Sequence, residues 1–312
     1  MQKKAKEINV YISLNPETKY DVYITEFSDG QQSVKINHKP YVYDYGGDNV
    51  KNKSNASLSK IQNADISVEM RLHTFRDLEI LISINSILKE LGAKSVSVYI
   101  PYFLGARSDR KFGIGETNYL KNVICPLINA QGFKEVKVFD PHSDVVEACL
   151  NNFTKVSNID FVRKSLTSLY MYYMPPNSNN IILVSPDAGA LKKIYDVAEA
   201  TKYNEVITAT KHRDVSSGKI THTEVPDLSN YSDTSSFIII DDICDGGRTF
   251  IELSKVIKKQ KPNAKVYLVI SHGIFSQGLE ILSQHVDRIF TTNSFKDHSN
   301  EENTILVQFK II

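Results

Sequence analysis

The sequence predicts an α/β protein of two similar domains, each with a mainly parallel central sheet flanked by helices. Three observations predict it. Short runs rich in Val and Ile alternate with segments of helical periodicity, in two successive series. Polar and charged residues gather where the runs stop, as ligand-bearing loops do at the carboxyl ends of strands in open α/β sheets. The length, 312 residues, suits two domains of ordinary size. The expected division is a first domain over residues 1–152, rejoined by a C-terminal segment over 295–312, and a second over 153–294.

Composition narrows the function classes. Hydrophobic residues make up 41% of the chain, enough for real cores, and the formal net charge is +1. No basic field points to nucleic acid, and there is no acidic tail. No apolar run approaches the span of a bilayer, and Met1-Gln2-Lys3-Lys4-Ala5-Lys6-Glu7 lacks the apolar core of a signal peptide. Neither nucleic acid nor membrane is an expected partner. Cys125, Cys149 and Cys244 are odd in number and widely spaced, which indicates neither a disulfide framework nor a zinc site. The expected location is cytoplasmic.

Residues 8–14 and 20–27 read as two strands, the second turning through Phe27-Ser28-Asp29-Gly30-Gln31-Gln32 into Ser33-Val34-Lys35-Ile36. Asp-Gly between strands is first a hairpin signal, so a ligand role for this turn needs other support. Residues 44–63 are rich in Asn, Ser, Gly and Lys and read as an exposed insertion. From Ile66 the pattern becomes βαβ. Leu78, Leu81, Ile82, Ile84, Leu88 and Leu91 recur at helical spacing, and Gly92 stops the helix. Val96 to Ile100 is a strand, ending at Pro101-Tyr102-Phe103 and followed by Ala106-Arg107-Ser108-Asp109-Arg110-Lys111. A charge run is usually a solvated face, but directly after a strand Arg107 can lie along a polyphosphate and bond two oxygens. A helix over about 117–130 and a strand from Val136 lead to Asp140-Pro141-His142-Ser143-Asp144. His142 there suits a structural hydrogen bond or a metal equally.

Residues 151–165 read as a crossing between domains. The strand Ile181 to Ser185 then runs into Pro186-Asp187-Ala188-Gly189, and Glu205 to Thr210 leads to Lys211-His212-Arg213. The most informative stretch is Phe237 to Phe250. Four apolar residues, Phe237 to Ile240, read as a buried strand, with Asp241 and Asp242 where it should end. Asp245-Gly246-Gly247-Arg248-Thr249 follows, and a helical pattern opens at Phe250. Glycines beside a helix N-terminus turn successive N–H groups into one concavity, which favours a phosphate. Adjacent carboxylates next to a phosphate need another task, and holding a ribose diol or a cation is the natural one. The bland alternative is an ordinary strand-to-helix turn. A last strand, Val266 to Ile270, ends in Ser271-His272-Gly273-Ile274-Phe275-Ser276, and Thr304 to Phe309 alternates like a strand.

In these motifs the chain resembles the ribose-phosphate pyrophosphokinases (phosphoribosyl diphosphate synthases). Pro101-Tyr102-Phe103 with Ala106 to Lys111 resembles the family's PYF…ARQDRK segment, Asp140-Pro141-His142-Ser143 its DLHA, and Ser185 to Gly189 its SPDxGG. Lys211-His212-Arg213 resembles KRR, and Ser271 to Ser276 resembles THGxFS. The matches run in order from Phe27 to Asn293. The resemblance implies domains of the type I phosphoribosyltransferase-like kind. It implies Mg²⁺-dependent transfer of the β,γ-diphosphoryl group of ATP to the anomeric hydroxyl of ribose 5-phosphate, leaving AMP. By the same carry-over Phe27, Asp29 and Gln31 contact adenine, and Arg107 and Asp109 flank the ATP site. His142 and Asp187 hold magnesium, Lys211 and Arg213 stabilise the transferring group, and Asp241, Asp242, Asp245, Gly246, Gly247, Arg248 and Thr249 bind the ribose phosphate. A homo-oligomer is implied, a dimer or a hexamer built from dimers.

The departures are informative too. The family's phosphate loop reads Asp-Thr-Ala-Gly-Thr, so Gly246 and Gly247 remove side-chain bulk and a hydroxyl, while Arg248 adds a cation able to reach a second phosphate. These changes point to an alternative acceptor, a 5-substituted ribose such as ADP-ribose, which would place the enzyme in NAD salvage. Two other classes are a phosphoribosyltransferase and a non-catalytic regulatory homologue. Paired domains and the Lys-His-Arg segment argue against the first, and retention of Lys211, His142 and Asp187 against the second.

Overall fold

The computed structural model describes residues 10–14, 18–20, 22–36, 60–111, 113–174, 180–213, 220–298 and 305–312. The chain divides into two compact units, Met1–Val156 and Ser157–Ile312.

The first unit contains β1 (Val10–Leu14), β2 (Thr18–Tyr20), β3 (Val22–Glu26), β4 (Gln32–Ile36), β5 (Asp65–Met70), α1 (Phe75–Glu90) and β6 (Ser95–Ile100). It continues with α2 (Cys125–Asn129), β7 (Glu135–Phe139), α3 (Val145–Cys149) and β8 (Phe153–Val156). Its main sheet has the order β2-β1-β5-β6-β7-β8. β5 to β8 are parallel and β1 and β2 antiparallel at one edge. Helix α1 forms where the spacing predicts it. Leu78, Leu81, Ile84 and Leu88 recur on one face and are fully buried. A capping box starts it, Thr74 accepting from the Asp77 N–H while Asp77 Oδ2 accepts from the Thr74 N–H at 2.7 Å. The helix expected over about 117–130 forms, its first part a π-helical turn, Leu120–Ile124, that runs directly into α2. The hairpin β3–β4 forms a sheet of its own.

The second unit contains α4 (Ile159–Tyr172), β9 (Ile181–Ser185), a 3-10 turn (Ala188–Ala190), α5 (Leu191–Thr201), β10 (Val206–Thr208), β11 (Thr210–Arg213) and β12 (Ile220–Glu224). Then come β13 (Ser236–Cys244), α6 (Arg248–Gln260), β14 (Lys265–Gly273), α7 (Glu280–Ser283), β15 (Arg288–Thr292) and β16 (Leu306–Phe309). Its sheet, β10-β9-β13-β14-β15-β16, is parallel throughout. Parallel strands covered on both faces read as continuous apolar runs, and Phe237 to Ile240 and Val266 to Ile270 are accordingly buried. The fold class is thus the expected one, with helices flanking mainly parallel sheets.

Three expectations need correcting. The boundary falls after Val156, because β8 pairs with β7 in the first sheet. The C-terminal strand does not rejoin the first unit: β16 lies parallel to β15, in register Ile289↔Leu306 to Thr292↔Phe309. Asn293 pins that end, donating its N–H to Phe309 O (2.9 Å) and accepting the Ile311 N–H (2.7 Å). The crossing expected over residues 151–165 does contain the boundary, between the end of β8 at Val156 and the start of α4 at Ile159. Finally β13 continues past its apolar run to Cys244, since β14 pairs with it as far as Cys244↔Gly273. Asp241 and Asp242 therefore lie within the strand. Most of the 44–63 insertion lies outside the described residues.

One partly buried carboxylate ties three elements of this unit together. Asp287 accepts the Val266 N–H at 2.9 Å and a bond from Lys265 Nζ at 2.8 Å, with Lys258 Nζ at 3.3 Å. Burial opposes its ionisation, but these donors outweigh burial and hold its carboxyl below the usual range. Its stabilisation is therefore present above the unfolded-state pKa and lost as pH falls through the folded one. Asp287→Asn is expected to lower unfolding free energy by about 1–3 kcal/mol near neutral pH. Urea unfolding should show wild type and variant converging below pH of about 3.9.

Candidate active site

Open α/β sheets bind ligands at the carboxyl ends of strands, at the point where strand order reverses. In the second unit the chain passes from β9 to β10 on one side, then returns to place β13 on the other side of β9. The reversal lies between β9 and β13. Asp187 follows β9, and Asp241 and Asp242 lie toward the carboxyl end of β13, so the topology gathers the three carboxylates at one edge.

Each is fixed by local bonds. Asp187 caps the 3-10 turn, its Oδ1 accepting the Gly189 N–H at 3.0 Å and the Ala190 N–H at 3.2 Å. Ser185 Oγ donates to Asp187 O at 2.8 Å and holds the bend. Asp242 is buried, 6% exposed, and donates its N–H to Asp241 Oδ1 at 3.0 Å. Burial pushes the Asp241 carboxyl well above the ordinary range, and the charges of Asp242 and Asp187 push the same way. Lys193 Nζ, from the first turn of α5, stands 3.7 Å from Asp242 Oδ2.

The loop after β13 is built to present backbone N–H groups. Gly247 has φ +78°, and an added Cβ there would approach Leu282 Cδ2 to 2.9 Å. That glycine is required by the backbone. Gly246 is different: its missing Cβ would make only ordinary contact, 3.5 Å from Gln277 Cγ. The loss of a side chain at 246 thus opens space that the backbone does not need. Helix α6 begins at once, with the Phe250 and Ile251 N–H groups donating to Gly247 O at 3.0 Å each. The first four N–H groups of a helix lack intrahelical acceptors, and here the loop adjoins them.

Lys193 was not singled out from sequence, although a signal was present. Cations are disfavoured in the first turn of a helix, yet α5 opens Leu191-Lys192-Lys193 and α6 opens with Arg248. Neither first turn carries an acidic residue. Both helices start at the edge that holds the carboxylates, and a polyanion there would offset the unfavourable placement. Lys211 and Arg213 lie on β11, which pairs antiparallel with β12 and follows β10. The Ala209 N–H donates to Ser185 O at 2.9 Å, so β11 departs from beside the Asp187 bend.

In the first unit, the loops after β6 and β7 bring Asp109, Arg110, His142 and Ser143 together. Asp109 is 5% exposed and pairs with Arg110 Nε at 3.0 Å. Burial opposes its ionisation, and the bond from Arg110, the nearby Ser143 hydroxyl and the charges of Arg110 and His142 outweigh it, holding the carboxyl below its usual range. Asp109 therefore sits as an anchor of its loop, while Arg107 beside it is exposed. Asp140, in the loop after β7, is buried with φ +37°, a left-handed conformation uncommon for a residue with a side chain. Phe27 stands at the tip of the β3–β4 hairpin, 52% exposed. Asp29 Oδ1 accepts the Gln31 N–H at 3.0 Å, and Arg76 of α1 donates to Gly30 O at 3.2 Å and pairs with Glu26 at 2.9 Å. The hairpin tip is thereby tied to α1.

A groove of about 810 Å³ elsewhere in the second unit is lined by Tyr170, Asn180, Tyr203 and Tyr231. It opens where β9 and β10 begin, at the opposite edge of the sheet from the carboxylates. Its size does not make it the reacting site. Among the described residues no group of three or more His, Cys, Asp or Glu side chains gathers as a metal centre, and no helix is long and apolar enough to cross a membrane.

Residues 161–302 match the phosphoribosyl transferase domain model. Among similar proteins is a ribose-phosphate pyrophosphokinase of Mycoplasmopsis pulmonis, 27% identical over 71% of this chain and 65% of its own length. That of Ureaplasma parvum is 28% identical over 64% of this chain and 57% of its own. These two alignments thus span less than two thirds of the relatives they match. That of Aquifex aeolicus is 24% identical over 93% of this chain and 83% of its own. In fold, the chain matches the crystal structure of phosphoribosylpyrophosphate synthetase from Mycobacterium smegmatis with a TM-score of 0.74, at 16% identity, over 94% of this chain and 86% of that one. The order of motifs, the fold and these relatives agree in their likeness to the ribose-phosphate pyrophosphokinases, at identities that mark this chain as divergent from them.

Proposed function

We propose that the protein transfers the β,γ-diphosphoryl group of ATP to the anomeric hydroxyl of ribose 5-phosphate, releasing AMP. The observation that carries this reading is the edge at the β9–β13 reversal, where a glycine loop, two helix starts bearing cations and a carboxylate pair adjoin. The loop and the α6 N-terminus suit the 5-phosphate. Asp241 and Asp242 suit the ribose hydroxyls: a carboxylate accepts from a diol, and a carboxyl that keeps its proton donates to one. Phe27, Asp29, Gln31, Arg107 and Asp109 form the proposed ATP side, with Phe27 exposed as a stacking platform requires.

Little covalent chemistry falls to the protein in such a transfer; alignment and charge neutralisation do most of the work. Lys211 and Arg213 are assigned to the oxygens of the transferring group, where charge spreads as the bond to the α-phosphate breaks. Magnesium takes hard oxygen ligands and keeps several waters, so one or two protein ligands suffice beside the phosphates. Asp187 fits that need, with one oxygen fixed by two backbone donors. His142 offers nitrogen, a softer donor, which suits contact through water or with a phosphate better than direct ligation. When bound, the ion would neutralise charge between phosphate oxygens. The proposed assembly is a homo-oligomer acting in the cytoplasm.

One observation favours a second acceptor. Gly246 opens space the backbone does not require, and Arg248 is exposed at the first position of α6. Both suit a ribose carrying a further group on its 5-phosphate, such as ADP-ribose, in NAD salvage.

Purified protein given ATP, Mg²⁺ and ribose 5-phosphate should form AMP and a product heavier by one diphosphate, read by mass spectrometry. Release of ADP, or no AMP with either ribose, would contradict the proposal, and a clear preference for ADP-ribose would move it to the second acceptor. Lys211→Ala is expected to lower kcat on the order of 10²–10³-fold while calorimetric binding of ribose 5-phosphate stays close to wild type. Unchanged turnover would remove Lys211 from the mechanism.

A further inference from the structure

The Ser271 to Ser276 motif has no place in the transfer described above, yet its backbone carries the sugar-phosphate loop. Ile274 and Phe275 both donate their N–H groups to Cys244 O, at 2.9 and 3.1 Å, and the Ser276 N–H donates to Asp245 O at 3.2 Å. The carbonyls that begin the loop are thereby turned toward the 274–276 turn. This matters for an anion site, because a carbonyl oxygen facing a phosphate repels it while an N–H attracts it.

The turn that holds them has an uncommon backbone. Phe275 has φ +47°, a left-handed conformation that a bulky residue keeps only when its surroundings impose it. Those surroundings are visible. The ring is 4% exposed and fills the place a side chain at Gly273 would take, since an added Cβ there would meet the Phe275 ring and approach Thr291 Oγ1 to 2.7 Å. Beside it stands His298, ring centroids 5.3 Å apart and planes at 55°. His298 Nε2 is 3.2 Å from Gly273 O. A carbonyl only accepts, so that nitrogen carries the proton. The His298 backbone N–H donates to Gln308 Oε1 on β16 at 3.0 Å, and Gln308 Nε2 donates to Thr292 O and Lys296 O at 3.1 and 2.8 Å.

We infer that His298 is a positioning residue for the sugar-phosphate loop. By packing on Phe275 and bonding Gly273 O it fixes the left-handed turn, and the turn holds the Cys244 and Asp245 carbonyls out of the concavity. It touches no substrate. The chain runs from β16 through Gln308, His298 and Phe275 to the loop, so the C-terminal strand braces the acceptor site. This role rests on the reading of the 245–249 loop as the acceptor's phosphate site.

Two measurements on the full-length protein test it. Hydrogen exchange needs no substrate: His298→Ala should speed exchange of the Ile274, Phe275 and Ser276 amides about tenfold, leaving the α6 amides unchanged. Unchanged exchange at 274–276 overturns the inference, and so does a rise spread evenly through α6 and β13, which marks general loosening. In turnover assays the KM for ribose 5-phosphate should rise about tenfold with kcat and the KM for ATP within about twofold. A fall in kcat with KM unchanged overturns it as well. Phe275→Leu keeps the buried apolar volume but loses the ring that meets His298, and the same pattern is expected from it should His298→Ala fold poorly. If wild type turns over no ribose phosphate, the proposed function fails while the exchange result still decides the brace.

Discussion

Adjacent carboxylates at a buried strand end repel each other and lose hydration, and the second unit is arranged around that constraint. Asp241 cannot ionise freely beside Asp242 and Asp187 in such surroundings. Lys193 offsets the charge on Asp242 from one side. The strand carries the pair past its own apolar run because β14 keeps the ladder paired to Cys244. The arrangement suits a ligand rich in hydroxyls and accompanied by cations, which would lower the repulsion further.

The opposite electrostatic frustration stands close by. Cations open both α5 and α6, where the helix dipoles disfavour them. A site that sets carboxylates toward a strand end and cations on two helix starts is well matched to a molecule carrying both a diol and phosphates. Rigidity comes from behind, through the 274–276 turn and the packing of its Phe275 ring against His298. In the first unit the corresponding loops are anchored by the Asp109–Arg110 pair, which leaves Arg107 outward.

Much of this was legible in the residues. Phe237 to Ile240, Val266 to Ile270 and the Leu78 to Leu88 stripe announced buried strands and an amphipathic helix, because burial on both faces or on one writes itself into spacing. Pairing partners were not legible. Alternation marks 306–309 as a strand but does not say which sheet edge it joins, and the Asn293 bonds that decide it are tertiary. The length of β13 escaped for the same reason: Asp241 to Cys244 look like a loop until β14 supplies the ladder. Lys193 lay in an ordinary basic pair whose oddity, a helix start, appears only once the helix boundary is known. Gly247 and Gly246 looked alike in sequence and differ in kind, one demanded by φ and the other leaving room.

The central claim is that the loop binds a phosphate while the carboxylates select a ribose, and Asp241→Asn separates the two. Calorimetric titration of wild type with ribose 5-phosphate and with inorganic phosphate should show a clear preference for the sugar. The account predicts that Asp241→Asn keeps its affinity for inorganic phosphate, or gains some, and loses most of that preference. A variant that discriminates between the two ligands as wild type does would contradict it.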